Sequence, residues 1–165
     1  MTETRPPLLE IEGFTVSFPA RGRSGQRTVA ADSVGYAIYP DQTLAVVGES
    51  GSGKSVSAMS ILQLIPVPPG RYDGGKILWR PNADEAPYNL LSFSDRQMRD
   101  VRGNQIAMIF QEPMTSLNPV YTVGDQITEA IRLHQAVGSR EAVAIAESAL
   151  RDVVSAAPAQ RLKEY

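Results

Sequence analysis

A phosphate-binding loop pattern, G-x-x-x-x-G-K-[ST], is present at Gly48-Glu49-Ser50-Gly51-Ser52-Gly53-Lys54-Ser55. The apolar run before it predicts a buried strand at residues 43–47, and the residues after it predict a helix at 56–64. Met59, Leu62 and Ile61 would lie on the inner face of that helix. Strand, glycine-rich turn and helix in this order form the context in which the pattern binds phosphate. A flexible Gly- and Ser-rich loop, the alternative, would not explain these flanking patterns.

The residue types of the pattern fit the chemistry of a phosphate chain. Glycines let the backbone curl tightly and approach a phosphate without an intervening Cβ, and successive N–H groups then form an anion nest. Lys54 would reach the β- and γ-phosphates, and the Ser55 hydroxyl would bind Mg²⁺, which prefers oxygen ligands. The sequence therefore predicts a nucleoside triphosphate site. Its predicted nucleotide-binding residues are Gly48, Glu49, Ser50, Gly51, Ser52, Gly53, Lys54, Ser55 and Val56.

The composition sets limits on the class of protein. A length of 165 residues is typical of one domain with a sizeable core. The absence of cysteine excludes disulfides, thiolate metal sites and cysteine nucleophiles. A net charge of −2 gives no support for nucleic-acid binding, and we interpret the Arg21, Arg23 and Arg27 cluster as a solvated loop. Because the sequence contains neither a signal-peptide pattern nor a long apolar segment, we expect a cytosolic location.

Hydrophobic periodicity and turn residues predict the remaining elements. Ser94 would cap one helix, Thr122 would cap another, and Gly138 would end the second. Residues 80–91 are predicted to form a polar loop. Strands are predicted at residues 8–18, 29–39, 74–79 and 106–110, and helices at residues 95–101, 123–137 and 139–154.

A second informative segment, residues 109–119, places Gln111 at the end of the predicted strand 106–110. The segment then enters a loop bounded by Pro113 and Pro119. An amide at such a position can ligate a metal through its oxygen and hydrogen-bond a water molecule. Together with the phosphate loop upstream, this pattern makes Gln111 a candidate site residue.

Taken together, the phosphate loop and segment 111–119 resemble the ATP-binding subunits of ABC transporters. The second segment looks most like the branch that imports di- and oligopeptides and related substrates such as nickel or glutathione. The resemblance implies an α/β fold of the P-loop NTPase class with an N-terminal antiparallel β subdomain, incomplete at the C-terminus. By this resemblance, residues of about 8–80 form the β subdomain and phosphate loop, and those of about 104–165 form the Q-loop and the start of the helical subdomain.

The resemblance also implies roles and partners. Gln111 would be the Q-loop glutamine, which contacts Mg²⁺ and the attacking water and couples nucleotide state to transport. Phe18 would stack on adenine, and Val29 would flank the base. The implied cofactors are ATP and Mg²⁺. The implied partners are the membrane permease subunits, reached through the Q-loop region, and a second ATP-binding subunit, on the cytoplasmic face of the cell membrane.

Several catalytic motifs of that family do not occur in the 165 residues. We find no signature loop, no apolar strand ending in an Asp-Glu pair and no switch histidine. Asp84-Glu85 lies in a polar loop, and His134 is expected on a helix surface. The sequence therefore resembles the front half of a cassette, for which we expect nucleotide binding without turnover.

Two alternatives remain at this stage. One is a non-catalytic half-cassette or remnant that needs a partner to supply the missing half. The other is a different phosphate-loop enzyme, such as a small kinase or a GTPase. A GTPase would need an N-K-x-D motif, which is absent, and segment 111–119 has no evident place in either enzyme.

Overall fold

The computed structural model of the chain describes residues 5–20, 22, 25–110, 117–153 and 157–164. The chain divides into two compact units, Met1–Val101 and Arg102–Tyr165. The first unit contains an antiparallel sheet with helices, and the second is helical over its described part. No helix within the described residues is both long and apolar enough to cross a membrane.

The sheet of the first unit has the strand order β2-β1-β3-β4 over the described residues. β1 pairs antiparallel with both β2 and β3, so it lies inside the sheet. The strands predicted at residues 8–18, 29–39 and 74–79 are confirmed with small shifts of their ends, whereas β4 interrupts the predicted polar loop 80–91. The strands are β1 (Leu9–Pro19), β2 (Arg27–Ile38), β3 (Arg71–Trp79) and β4 (Tyr88–Asn89).

Apolar side chains of β1 form the centre of the first unit's core. Ile11, Phe14 and Val16 are almost completely buried, and Ile77 of β3, which pairs with Ile11, is fully buried. The pairing register shifts between Ile11 and Phe14, where Gly13 adopts a φ of 54°. Because such a bulge changes which residues share a face, Phe14 and Val16 join Ile11 on the buried side.

The predicted helix at 56–64 is present as α1 (Lys54–Ile61), which begins inside the phosphate-loop pattern, two residues earlier than predicted. It ends before residue 64 because Gln63 adopts a left-handed φ of 49°, which stops the helix. The Gln63 side-chain amide donates hydrogen bonds to the carbonyl oxygens of Leu90 at 2.5 Å and Phe93 at 3.1 Å. The end of α1 is thereby fixed to the turn that follows β4.

The predicted inner face of α1 is wrong in part. Leu62 is buried, but Met59 and Ile61 are only half-buried. The buried residues of the helix itself are Ser57 and Ser60, whose hydroxyls donate to main-chain carbonyls one turn earlier. These internal hydrogen bonds satisfy the hydroxyls, so small polar side chains occupy the packed face.

Helix α2 (Asp95–Val101) has the predicted bounds. Ser94 caps it: the Gln97 amide N–H donates to Ser94 Oγ at 3.4 Å, and the Gln97 side chain accepts from the Ser94 N–H at 2.9 Å. This reciprocal pair is a capping box. Met98 and Val101 of α2 are buried.

The second unit contains α3 (Val123–His134), α4 (Ser139–Asp152) and the short α5 (Pro158–Arg161) in its described residues. Thr122 caps α3 as predicted, although α3 ends before residue 137 and α5 was not predicted. α3 and α4 pack together, and Ala142 and Ala146 of α4 are fully buried.

Two runs that were predicted to be buried strands are not strands in the structure. Residues 43–47 have no regular secondary structure, and Val47 is 87% exposed. Residues 106–110 have only an isolated bridge at Ile106, and Ile109 is 95% exposed. Within the part of the chain that the structure describes, neither run lies along a neighbouring strand. Apolar composition predicted their burial, but a strand also needs a partner for its backbone groups.

Candidate functional site

The phosphate-loop pattern forms a tight turn that leads directly into α1. Gly51 and Gly53 have φ values of 83° and 88°. Glycine adopts this left-handed region without the steric cost that other residues incur. The Ser52 N–H donates to the Glu49 carbonyl at 3.2 Å and closes the turn. Gly51 and Gly53 of the pattern thus lie where the backbone bends back towards the helix.

The Lys54 side chain folds back over this turn. Its Nζ donates hydrogen bonds to the carbonyl oxygens of Gly48 and Glu49, each at 2.7 Å, and to Ser52 Oγ at 3.2 Å. All three acceptors belong to the loop, so the ammonium lies within the curve of the loop. A cation held there can form charge-assisted hydrogen bonds with phosphate oxygens.

The N-terminus of α1 adds further donors. Gly53 is the N-cap residue, no side chain caps the helix, and no acidic residue occupies its first turn. The first N–H groups of a helix have no intrahelical acceptor, and the aligned peptide dipoles place roughly half a positive charge at this end. The loop therefore ends in a group of N–H donors suited to an anion.

Close packing holds the loop on the sheet. A Cβ placed on Gly53 would lie 2.5 Å from the Ala30 carbonyl oxygen and 3.3 Å from Ala31 Cβ. Contacts this short leave no room for a side chain, so Gly53 is required both by its φ and by its neighbours. β2 thus fixes the position of the phosphate loop through Ala30 and Ala31.

Two of the predicted nucleotide-binding residues lie in the first turn of α1. Ser55, the second residue of α1, is exposed, and Val56 is half-buried. Ser55 can offer one oxygen to a hard cation. No cluster of three His, Cys, Asp or Glu able to hold a metal is found among the described residues, so Mg²⁺ would need phosphate oxygens as further ligands. Gln111, the second predicted Mg²⁺ ligand, lies outside the described residues.

Phe18 lies at the end of β1 and pairs with Thr28 of β2. Its ring is half-buried, and its Cε1 is 3.3 Å from the position that a Cβ would take on Gly70. Ala30, which contacts the phosphate loop, follows Thr28 by two residues, or roughly 7 Å along the strand. The structure therefore brings Phe18 and the loop to the same region of the sheet.

A hydrogen-bonded group next to Phe18 was not predicted from the sequence. Arg27 was interpreted as part of a solvated loop, which is wrong: it is the first residue of β2 and is half-buried. Its Nε donates to Ser17 Oγ at 2.8 Å, and its Nη2 donates to the carbonyl oxygens of Ser17 at 2.7 Å and Pro69 at 3.1 Å. Val29, predicted to flank the base, pairs with Ser17 and is 52% exposed.

Asp73 extends this group onto β3. A hydrogen bond from the Ser17 hydroxyl lowers the pKa of Asp73, and the Arg71 guanidinium, whose Nε is 2.5 Å from Asp73 Oδ1, lowers it further. Ser17 is only 2% exposed. Its hydroxyl accepts from Arg27 and donates to Asp73, so this buried polar group is satisfied on both sides.

His134, the single histidine of the sequence, is the last residue of α3 and is half-buried. A Cβ on Gly103, which has a φ of 79°, would lie 3.1 Å from His134 Nε2. The imidazole thus packs on the turn at Gly103 and is less exposed than the predicted surface position.

The sequence matches a family model and several curated proteins. The model described as "ABC transporter" matches residues 31–163. A peptide import ATP-binding protein of Brucella abortus (strain 2308) is 46% identical over 140 residues, which are 85% of this chain and 40% of that protein. The glutathione import ATP-binding protein GsiA of Salmonella typhimurium (strain LT2) is 46% identical over 146 residues, which are 88% of this chain and 23% of that protein. The chain thus spans less than half the length of these relatives.

A solved structure has the same fold over most of this chain. It is the dimeric post-hydrolysis state of an ATP-binding cassette bound to ADP and Pi. The two chains superpose with a TM-score of 0.73 at 18% identity, covering 94% of this chain and 60% of that one. At this identity the likeness shows the fold alone. It is the α/β arrangement with an antiparallel sheet that the sequence predicted, here over part of a cassette.

Proposed function

This chain belongs to the ABC transporter family, and from that premise we propose that it binds ATP as the ATP-binding component of an importer. The observation that carries the proposal is the loop at Gly48–Ser55. Lys54 Nζ is held within the loop by Gly48, Glu49 and Ser52, and α1 presents its uncapped N-terminus beside it. A triphosphate would replace these carbonyl acceptors with phosphate oxygens, which form stronger charge-assisted hydrogen bonds.

Mg²⁺ would accompany the nucleotide. Ser55 is exposed in the first turn of α1 and offers a hydroxyl oxygen next to Lys54. Mg²⁺ usually keeps several water molecules and binds few protein groups when substrate phosphates are present. Ser55 and phosphate oxygens therefore form a suitable ligand set, and we assign Gln111 to the same ion on the family resemblance.

Phe18 would carry the base. Its ring is half-buried at the end of β1, in the same region of the sheet as the loop. Stacking of a base on an aromatic ring is worth about 1–3 kcal/mol where it has been measured in nucleic-acid complexes. The triphosphate would thus be held by the loop and the adenine by Phe18.

The transported substrate is proposed to be a peptide or a related molecule. The support is that relatives at 44–48% identity include peptide import, peptidoglycan transport and glutathione import ATP-binding proteins. In a complete transporter, the chain would act on the cytoplasmic face of the membrane with permease subunits and a second ATP-binding subunit. Hydrolysis there would be phosphoryl transfer to water, aided by Mg²⁺ and by positioning of the phosphates.

A second candidate is a half-cassette that binds nucleotide but does not turn it over unless another polypeptide completes it. It is favoured by the exposure of the apolar run 43–47, including Val46 at 50% and Val47 at 87%. Mixing the chain with a polypeptide that carries the signature loop and the catalytic Glu of a related cassette distinguishes the two. ATPase activity that appears only in the mixture supports the half-cassette.

Isothermal titration calorimetry with ATP in the presence of Mg²⁺ tests the nucleotide site. We expect Lys54→Ala to weaken ATP binding by about 1.5–3 kcal/mol, the value of a hydrogen bond to a charged group. Lys76→Ala is the matched control, because Lys76 is exposed on β3 of the same unit. Equal affinity of the wild-type chain and Lys54→Ala, with both folded, would contradict the assignment of the loop.

A further inference from the structure

We propose that Arg27 is a positioning residue for the adenine-stacking ring of Phe18. The inference rests on the proposed function, because it deepens the assignment of Phe18 to the base. One guanidinium nitrogen, Arg27 Nη2, donates to two carbonyl oxygens that come from different segments of the chain, Ser17 at 2.7 Å and Pro69 at 3.1 Å. The first carbonyl belongs to the peptide that leads into Phe18, and the second belongs to the peptide that leads into Gly70.

Gly70 lies next to the Phe18 ring. Phe18 Cε1 is 3.3 Å from the Cβ position of Gly70, and that position is also only 2.8 Å from Ile65 Cγ2 and 2.9 Å from the Pro66 carbonyl. Gly70 therefore has no room for a side chain and lies beside the ring edge that carries Cε1. Arg27 binds the peptide that precedes Phe18 and the peptide that precedes Gly70. It therefore fixes the distance between these two residues.

The geometry of the guanidinium suits this role. Arg27 also donates from Nε to Ser17 Oγ at 2.8 Å, so two nitrogens of the planar group hold Ser17 by its side chain and its main chain. Ser17 in turn is hydrogen-bonded to Asp73, which Arg71 contacts at 2.5 Å. The guanidinium is thus oriented by partners on β1 and supported from β3. A lysine could supply the charge but not this planar fork of donors.

The role differs from that of a residue that contacts the nucleotide. A half-buried ring that is free to change rotamer would lose part of its stacking energy to ordering when the base binds. When the end of β1 and the neighbouring Gly70 are both fixed in place, the Phe18 ring is already ordered. Loss of Arg27 should therefore weaken binding of ligands that carry a base and spare ligands that carry only phosphate.

The test compares ATP with inorganic tripolyphosphate, both with Mg²⁺, on the full chain. In Arg27→Met, we expect ATP affinity to fall about tenfold, within the range that loss of base stacking covers. We expect the affinity for tripolyphosphate to remain within about twofold of the wild-type value, because the phosphate loop is unchanged. Arg27→Lys should behave like Arg27→Met, since the forked geometry is lost. Arg99→Met is the matched control, an exposed arginine on α2 of the same unit that pairs with Asp95, and it should change neither affinity.

A double-mutant cycle with Phe18→Ala separates positioning from general loss of structure. If Arg27 acts through the ring, Arg27→Met should not weaken ATP binding further in the Phe18→Ala chain. Additive losses, or an equal loss for tripolyphosphate, would overturn the inference. If Arg27→Met does not fold, Ser17→Ala removes one anchor of the guanidinium, and the same selective loss for ATP is expected. Failure of the wild-type chain to bind either ligand would instead overturn the proposed function itself.

Discussion

The α-carbon of Gly53 and the carbonyl oxygen of Ala30 are so close that a Cβ on Gly53 would lie 2.5 Å from that oxygen. The phosphate loop therefore rests directly on the backbone of β2. The contact joins a residue of the loop to a strand of the antiparallel sheet that also carries Thr28, the partner of Phe18. Through this one strand, the proposed phosphate site and the proposed base site share a rigid support.

Gly53→Ala should therefore destabilise the chain and weaken ATP binding together. A φ of 88° alone costs a non-glycine residue about 1–2 kcal/mol, and the clash with Ala30 adds to that cost. Urea unfolding followed by circular dichroism measures the loss. Gly74→Ala is the control, because a Cβ on Gly74 would meet no atom within 4 Å and its φ is not positive. Equal stability of the two variants would show that the loop is not held as the structure has it.

The pH dependence of stability should reveal the group around Asp73. Its pKa is lowered, chiefly by the hydrogen bond from Ser17, so the unfolded chain binds more protons than the folded chain just below the ordinary value of about 3.9. Asp73 therefore contributes stability that is complete above that value and is lost as the pH falls through the lowered pKa. We expect Asp73→Asn to be less stable than the wild type near neutral pH, with a difference that shrinks in acid.

Chemical denaturation at a series of pH values measures this difference. Asp41→Asn is the matched control, because the Asp41 carboxylate is 91% exposed and lies 3.7 Å from its partner Arg5. Its effect on stability should be small at every pH. If the wild type and Asp73→Asn differ in free energy of unfolding by the same amount at every acidic pH, the lowered pKa of Asp73 is contradicted.

Features that depend on neighbouring residues in sequence were predicted well. The phosphate loop is a local pattern of glycines with a lysine, and it forms the expected turn into α1. The helix bounds at Asp95–Val101 followed from Ser94 as a cap, and the start of α3 followed from Thr122. In these two helices, the capping side chain and the backbone N–H group that it binds are within four residues of each other.

Features that depend on distant residues were not predicted. Arg27 binds the Pro69 carbonyl from 42 positions away, and nothing in a single sequence marks that contact. The bulge at Gly13 changes the face of Phe14, so a count of alternation along β1 gives the wrong parity. The run 43–47 has the composition of a buried strand, but composition does not say which strand pairs with it. The fold class was therefore predictable, whereas the support around the base site was not.

The capping box of α3 offers a test in the second unit. Thr122 Oγ1 accepts from the Asp125 N–H at 3.0 Å, and the Asp125 carboxylate accepts from the Thr122 hydroxyl at 2.7 Å and from its N–H at 3.3 Å. We expect Thr122→Ala to lower the free energy of unfolding by about 1 kcal/mol. Thr122→Ser keeps the hydroxyl and should cost much less. Thermal melting of both variants measures these losses of stability. Equal losses for Thr122→Ala and Thr122→Ser would mean that the hydroxyl does not cap the helix.

The apolar run 43–47 makes the last prediction, which compares two valines. Val47 is 87% exposed, whereas Val16 is fully buried in the core of the first unit. Val16→Ala should lower the free energy of unfolding by about 2 kcal/mol, because it removes buried methyl groups and leaves a cavity. Val47→Ala should change it by less than about 0.5 kcal/mol, as is usual for surface substitutions.

The amides of residues 44–47 should also exchange with deuterium faster than those of β1, because strand pairing protects the latter. A loss for Val47→Ala as large as that for Val16→Ala would mean that the run is paired and buried in solution. The exposure of residues 43–47 would then no longer favour a half-cassette that a second polypeptide completes.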